Sequence, residues 1–187
     1  MDFSSWPVLI TLALVTVVAM EGFAWWAHKY VMHGWGWGWH RSHHEPHDDL
    51  LEKNDLFAVV FGVFAVALFV VGWMIHPAIR AIAWGITIYG ILYFIVHDGL
   101  VHQRWPFRYI PHRGYAKRLV QAHRLHHVVR GQDHGVSFGF LYAPPIEKLQ
   151  AQLKASGVVQ RERAEASAAM GVETGTRGGE AAPRAGA

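Results

Sequence analysis

The chain contains no cysteine. That excludes disulfides, iron–sulfur clusters, thiolate haem ligation and cysteine nucleophiles, and leaves nitrogen and oxygen as the atoms that could hold a metal. Charge is scarce too: 17% of the 187 residues are Asp, Glu, Lys or Arg, with a net +3. So small a surplus gives no reason to expect a nucleic-acid partner. The stretch from Met1 to Ser5 carries no positive charge, and no small-residue cleavage site follows the first apolar run, so no cleavable targeting segment is expected. The H-E-x-x-H pattern of zinc hydrolases is absent. The Gly-Trp alternation from Gly34 to Trp39 lacks the spacing of a dinucleotide-binding loop.

Apolar residues are plentiful, at 52%, and they are gathered in long blocks. Trp6 to Ala27 is apolar apart from Thr11, Thr16 and Glu21, Leu56 to Ile75 has no charge, and Ala81 to Val96 is a shorter third block. At about 1.5 Å per residue, some twenty residues cross a hydrocarbon core of about 30 Å. Three membrane-spanning helices are therefore expected in an all-α protein. Only His76 to Arg80 separates the second and third, and Pro77 makes that link a tight hairpin with Arg80 reaching toward a headgroup region. Three crossings put residues 28–55 and 97–134 on one side, and those segments hold ten of the seventeen Lys and Arg. By the positive-inside rule that side is cytoplasmic and the N-terminus lies outside. Trp35, Trp37 and Trp39 suit a membrane interface, and residues 135–145, too short to span, read as a re-entrant or interfacial segment. The expected organisation is a membrane domain over 1–160 and a disordered tail rich in Ala, Gly, Glu and Arg over 161–187.

Histidine is the informative residue. Ten of the fourteen fall into two copies of one pattern, H-x4-H and then H-x2-HH. The first copy is His28, His33, His40, His43 and His44, and the second is His97, His102, His123, His126 and His127. Burying histidines without partners costs free energy, so packing does not explain the repetition, whereas neutral imidazole is the commonest ligand for transition metals. On a helix, residues three and four apart share a face, so each H-x2-HH converges on one region. Spacing of five is less regular; it suits two ligands at a loosened helix end or two ligands serving different metals. Zinc would need three or four ligands, fewer than ten, and imidazole also suits iron. His47 and His112 read as interfacial loop residues, and His76 as the far hairpin tip. His134, beside Asp133, is left without an assigned role. Within a span an ionisable residue is a functional hypothesis by default. Glu21 is expected either to support the site or to bridge two helices, and Asp98 to hold an imidazole N–H.

These boxes resemble those of the membrane fatty-acid hydroxylase and desaturase superfamily, whose members use a histidine-rich di-iron centre. Longer strings are similar to the bacterial β-carotene 3-hydroxylases: residues 20–34, Asn54-Asp55-Leu56, residues 97–111, residues 121–127 and residues 137–145. The resemblance covers about residues 20–150. It implies the ten box histidines as ligands of two iron ions, O2 as co-substrate, and hydroxylation of carotenoid β-ionone rings at C3 and C3′. β-Carotene would become β-cryptoxanthin and then zeaxanthin, and canthaxanthin would lead to astaxanthin. The implied partners are a carotenoid arriving from the lipid bilayer and an external electron donor, either ferredoxin-type or an NAD(P)H-dependent reductase. The implied location is a bacterial inner membrane. The rival readings are another histidine-box membrane oxidase acting on fatty acids or sterols, and a metal transporter. A transporter should place its polar ligands near the bilayer midplane, whereas these boxes lie beyond the helix ends.

Overall fold

A computed structural model describes residues 4–45 and 51–175. Among them there is no strand, and three helices are long and apolar enough to cross a membrane. The first, α1, runs over Trp6–Trp26 and continues without a break into a π-helical turn at Ala27–Trp35. A turn at Gly36 leads into the short α2, Trp37–His44. The second spanning helix, α3, covers Asp55–Met74, and the third, α4, covers Pro77–Tyr93 and is prolonged by a second π-helical segment at Phe94–Val101. The remaining helices are α5 (Gly114–His127), α6 (Ile146–Ser156) and α7 (Val158–Gly175).

The first and third spans are longer than the apolar blocks alone indicate. Hydropathy drops where the histidines begin, but the backbone keeps winding, so the helices carry their histidines as direct extensions. At the opposite end the hairpin is as tight as expected. His76 caps α4 by accepting from the Ala78 N–H at 3.1 Å, and Pro77 occupies the first turn, where its missing N–H costs nothing. Arg80 does not reach outward. It folds back to donate to the Gly72 carbonyl at 2.9 Å and lies over the Trp73 ring, closing the exposed end of α3.

Both α1 and α3 pack on α4, and they barely meet each other. The α1–α4 contact is close because of Gly85, where a Cβ would come within 2.7 Å of the Ala13 carbonyl oxygen. What remains between α1 and α3 is a cleft with α4 as its back wall. Beyond the histidine ends of the spans, a cap encloses the site. Its own small core of Ala122, Val129, Val136, Ala143, Leu149, Leu153 and Val158 joins α5, α6 and the start of α7. The residues from Arg161 to Gly175, expected to be disordered, belong to α7 instead. Ala, Glu and Arg are strong helix formers even without an amphipathic stripe. Val158 is buried in the cap core, and the Glu162 side chain accepts from the backbone N–H groups of Arg130 and Gly131. Residues 176–187 of the expected tail lie outside the described residues, as does His47.

Candidate metal centre

The π-helical turns explain the spacing of five. A π-helix closes its hydrogen bonds between residues i and i+5, so residues five apart come round to one face. The His102 N–H donates to the His97 carbonyl at 2.9 Å, and the Gly36 N–H to the Val31 carbonyl at 2.8 Å. His28 and His33 thereby bring their rings to 5.3 Å centroid separation, and His97 and His102 to 4.5 Å. Within each pair the two rings join the same set.

Two sets of imidazoles form. Ring nitrogens of His28, His33, His40 and His126 lie within 4.8 Å of one another, as do those of His43, His102, His123 and His127. His44 attaches to the first set, its Nε2 3.2 Å from that of His40. His97 attaches to the second, 3.1 Å from His43 Nε2. The sets do not follow the sequence copies. The middle histidine of each H-x2-HH crosses over: His43 leaves the first copy for the second set, and His126 leaves the second copy for the first. On α2 and α5 the middle residue follows the first histidine by three positions and precedes the last by one, and the rings of His43 and His44 meet those of His127 and His126, so each helix gives one imidazole to the other's set.

Seven of the ten rings have Nδ1 within 2.7–2.9 Å of an oxygen that can only accept or is free to do so. In the first set the acceptors are neutral: the carbonyls of Phe138, Gln132, Val129 and Val136 for His28, His33, His44 and His126, and Asn54 Oδ1 for His40. In the second set they are carboxylates, Glu52 for His43 and Asp98 for His97. Each such bond places the proton on Nδ1 and leaves a lone pair on Nε2. The Nε2 atoms then face one another in pairs that cannot hydrogen-bond, at 3.0 Å for His28–His40, 3.3 Å for His33–His126 and 3.1 Å for His43–His97. Metal–nitrogen bonds of about 2.1 Å set adjacent ligands about 3.0 Å apart. The donor set fits a pair of metal ions.

Electrostatics agrees. Burial, followed by the neighbouring imidazoles, holds His43, His123 and His126 well below the usual histidine range. Mainly through burial, His40 is lowered to about 3, His44 to about 4 and His127 to about 2. The rings are therefore neutral and ready to bind metal at pH 7. Beneath the second set, Arg104 grips Asp55 with two bonds of 2.9 Å and lies 3.8 Å from both Glu52 and Asp98. One guanidinium thus organises the carboxylates that orient His43 and His97.

Asp98 holds an imidazole N–H as expected. Glu21 acts one step further out. Its oxygens accept from the N–H groups of Phe140 (3.0 Å), Leu141 (3.1 Å) and Tyr142 (2.9 Å) and from the Tyr89 hydroxyl (2.8 Å). Residues 135–145 form an irregular strap that this carboxylate ties to α1, while Tyr115 ties it to α5 through Leu141 and Ala143. A Cβ at Gly139 would come 2.7 Å from Glu21 Oε1, so only glycine lets the strap approach this closely. The strap delivers the Val136 and Phe138 carbonyls to the first set. It also lays the Phe140 ring parallel to His28 at 5.0 Å and edge-on to His97 at 5.3 Å, bridging the two sets. Trp37 is not a simple interfacial anchor, since its ring packs on His33 and His44. His112 and His134 are exposed and join neither set. The sequence reading passed over Glu52, Arg104 and the imidazole-holding role of Asn54; the signal for Glu52 and Asn54 was a polar run just ahead of α3, and that for Arg104 its place just after the second H-x4-H.

Among the described residues, openings lead to the centre from two sides. A largely apolar cavity of about 580 Å³ fills the cleft between α1 and α3 and ends at Tyr93, Asp98 and Phe140. On the other side, a smaller opening of about 350 Å³, lined by His102, His123, His127 and Arg124, exposes the second set to water.

Buried imidazole sets at the ends of membrane-spanning helices define a histidine-box membrane oxidoreductase, and the comparisons agree. The fatty acid hydroxylase family profile matches residues 13–143, and the chain belongs to that family. It is 60% identical over 155 residues to a β-carotene hydroxylase of Paracoccus sp., covering 82% of this chain and 96% of the relative. It is 55% identical over 181 residues to the β-carotene hydroxylase of Pantoea ananas, covering 97% of each. A chloroplastic β-carotene 3-hydroxylase of Arabidopsis thaliana is 36% identical over 137 residues, 71% of this chain and 45% of that relative. No solved structure matches.

Proposed function

We propose that this chain hydroxylates carotenoid β-ionone rings at C3 and C3′, taking β-carotene through β-cryptoxanthin to zeaxanthin and, where ketolated rings are supplied, canthaxanthin toward astaxanthin. The observation that carries the reading is the pair of interlocked imidazole sets beside an apolar cavity, in a chain whose relatives at 55–60% identity are named β-carotene hydroxylases. Ten imidazoles suit two iron ions, His28, His33, His40, His44 and His126 holding one and His43, His97, His102, His123 and His127 the other. Iron held there would supply O2 reduction, by which two electrons and two protons would let one oxygen atom enter a ring C–H while the other leaves as water.

The protein's own residues do the rest. Phe138, Gln132, Val129, Val136, Asn54, Glu52 and Asp98 fix seven of the rings by their Nδ1 protons, so on those seven Nε2 would be the ligating atom. Phe140 and Tyr93 wall the ring's approach and keep water out of the apolar side. Protons and electrons enter from the aqueous side, where His102 and His127 are partly exposed. The donor is a ferredoxin-type protein or an NAD(P)H-dependent reductase. The histidine face lies in the cytoplasm, a reading the placement of Lys and Arg supports, and the helices lie in a bacterial inner membrane, a location the bacterial relatives support.

Expression in a bacterial host that accumulates β-carotene is the test. Zeaxanthin with some β-cryptoxanthin is expected, labelled from 18O2 and not from water, in protein carrying about two irons per chain, the number the two sets can hold. Unchanged β-carotene despite iron-loaded, inserted protein and a competent donor would overturn the assignment, and so would stoichiometric zinc in active enzyme.

A further inference from the structure

The 580 Å³ cavity has a shape that says more than its chemistry. On α3 its wall is formed by Ala58, Phe61, Gly62, Ala65 and Phe69, one face at helical spacing. From Phe57 to Phe69 the wall extends roughly 18 Å down the helix, at about 1.5 Å per residue. Two glycines set its width. A Cβ built at Gly62 or at Gly90 meets no atom within 4 Å, so each faces open space that a larger side chain would fill. Of the polar side chains on the wall, Thr87 donates to the Ala83 carbonyl, Tyr89 donates to Glu21, and Asp98 accepts from His97. Because α1 and α3 barely meet, the cleft between them opens sideways toward lipid, with the edge-to-face pair of Phe23 and Phe61, 5.8 Å apart, reaching across.

We propose that this cleft is a one-ended slot that takes a β-ionone ring against Phe140 with the first stretch of its polyene lying along α3 on the α4 side of the Phe23–Phe61 pair, and that Gly62 and Gly90 set its bore. This rests on the carotenoid reading above and specifies how the substrate sits. The slot closes at the histidine centre, so the second ring of the same rigid molecule stays outside it. Hydroxylating both rings takes two separate visits, and β-cryptoxanthin must leave and re-enter the other way round.

The test compares full-length protein in nanodiscs carrying Gly62→Leu, Gly90→Leu or, as a control, Val63→Leu, which replaces an exposed side chain on the lipid side of α3. Leucine is a better helix former than glycine, so α3 and α4 lose no propensity. Gly62→Ala adds a methyl that touches nothing and serves where leucine impairs insertion. Two signals are read: induced circular dichroism of added β-carotene, and its hydroxylation with metal content measured alongside. Wild type and Val63→Leu are expected to bind and turn over alike. Gly62→Leu and Gly90→Leu should lose at least tenfold in binding and turnover at unchanged metal content, with Gly62→Ala in between. In a pulse of labelled β-carotene chased with excess unlabelled β-cryptoxanthin, label should stop at the mono-hydroxylated stage. Wild-type binding and turnover in both leucine variants would overturn the slot and leave the carotenoid reading standing. Binding lost in those variants, in a protein that hydroxylates no ring, would support the slot and overturn that reading. Label passing straight to zeaxanthin through the chase would refute the one-ended arrangement.

Discussion

Replacing Glu21 is the sharpest probe of how the strap is held. Four donors converge on its carboxylate, three backbone N–H groups and the Tyr89 hydroxyl, so the side chain must offer acceptors only. In Glu21→Gln the amide oxygen can keep the three N–H bonds at the Oε1 position, and the NH2 can turn to the Tyr89 oxygen, which is able to accept. What is lost is charge assistance, roughly half the strength of each bond, or about 1 kcal/mol per N–H and ~3 kcal/mol in all. Glu21→Leu removes every acceptor and strands three N–H groups, at about 1–3 kcal/mol each and so ~3–9 kcal/mol. Tyr89→Phe forfeits one bond to a charged group, about 1.5–3 kcal/mol. Denaturant or thermal unfolding in detergent, with proteolysis across residues 135–145 as the local readout, should rank Glu21→Leu well below Glu21→Gln. Tyr89→Phe should leave the strap protected, because Glu21 still holds its three N–H groups. Activity should fall with strap protection, since Phe138 and Phe140 move with it. A Glu21→Leu protein as stable and as protease-resistant as Tyr89→Phe would refute the anchoring role.

Metal-free protein should be acid-sensitive in a defined window. His40 and His44 stand at about 3 and 4 when folded, so above the unfolded value of about 6.5 neither state binds their protons, while below it the unfolded chain gains about 1.4 kcal/mol per pH unit for each ring. The melting temperature should therefore fall steeply from pH 6.5 toward 4, and a flat profile would contradict the buried, neutral assignment. Glu52→Leu leaves the His43 N–H without its acceptor and should weaken metal retention about 10–100-fold, measured by chelator competition. Alanine at His43 or His126 should abolish turnover, each removing a ligand from the set opposite its own sequence copy. His76→Ala should keep activity, costing only about 1 kcal/mol of helix capping.

The three spans and the ten histidines were legible because both follow from side-chain identity along the chain. Hydropathy marks Trp6, Leu56 and Ala81 as the starts of lipid-facing helices, and the helices begin at Trp6, Asp55 and Pro77. The partition of the histidines was not legible. Whether His28 faces His33 depends on π-helical winding, which the side chains do not announce. Whether His43 stays with its own copy depends on how α2 and α5 meet. Five of the groups that orient the rings hid for different reasons. The carbonyls of Phe138, Gln132, Val129 and Val136 belong to the backbone, where residue type is silent, and Asn54 reads as an ordinary helix-start residue. Residues 161–175 misled in the opposite direction: their want of periodicity read as disorder, but Glu162 finds the Arg130 and Gly131 N–H groups and the helix persists.

The crossing of His43 and His126 makes the two halves of the chain hostages of each other. Cut at the hairpin, the first half would carry four imidazoles of one set and a single member of the other, and the second half the mirror of that. Neither piece could assemble all five imidazoles of either set. Each metal ion, once bound, would therefore stitch the first histidine segment to the second, as two opposed staples rather than two independent loops. Loading one would draw α2 and α5 together and place the crossing ligand of the other, so the centre should fill as a unit. Partial occupancy should be rare, and chelation should undo both ions in one cooperative step.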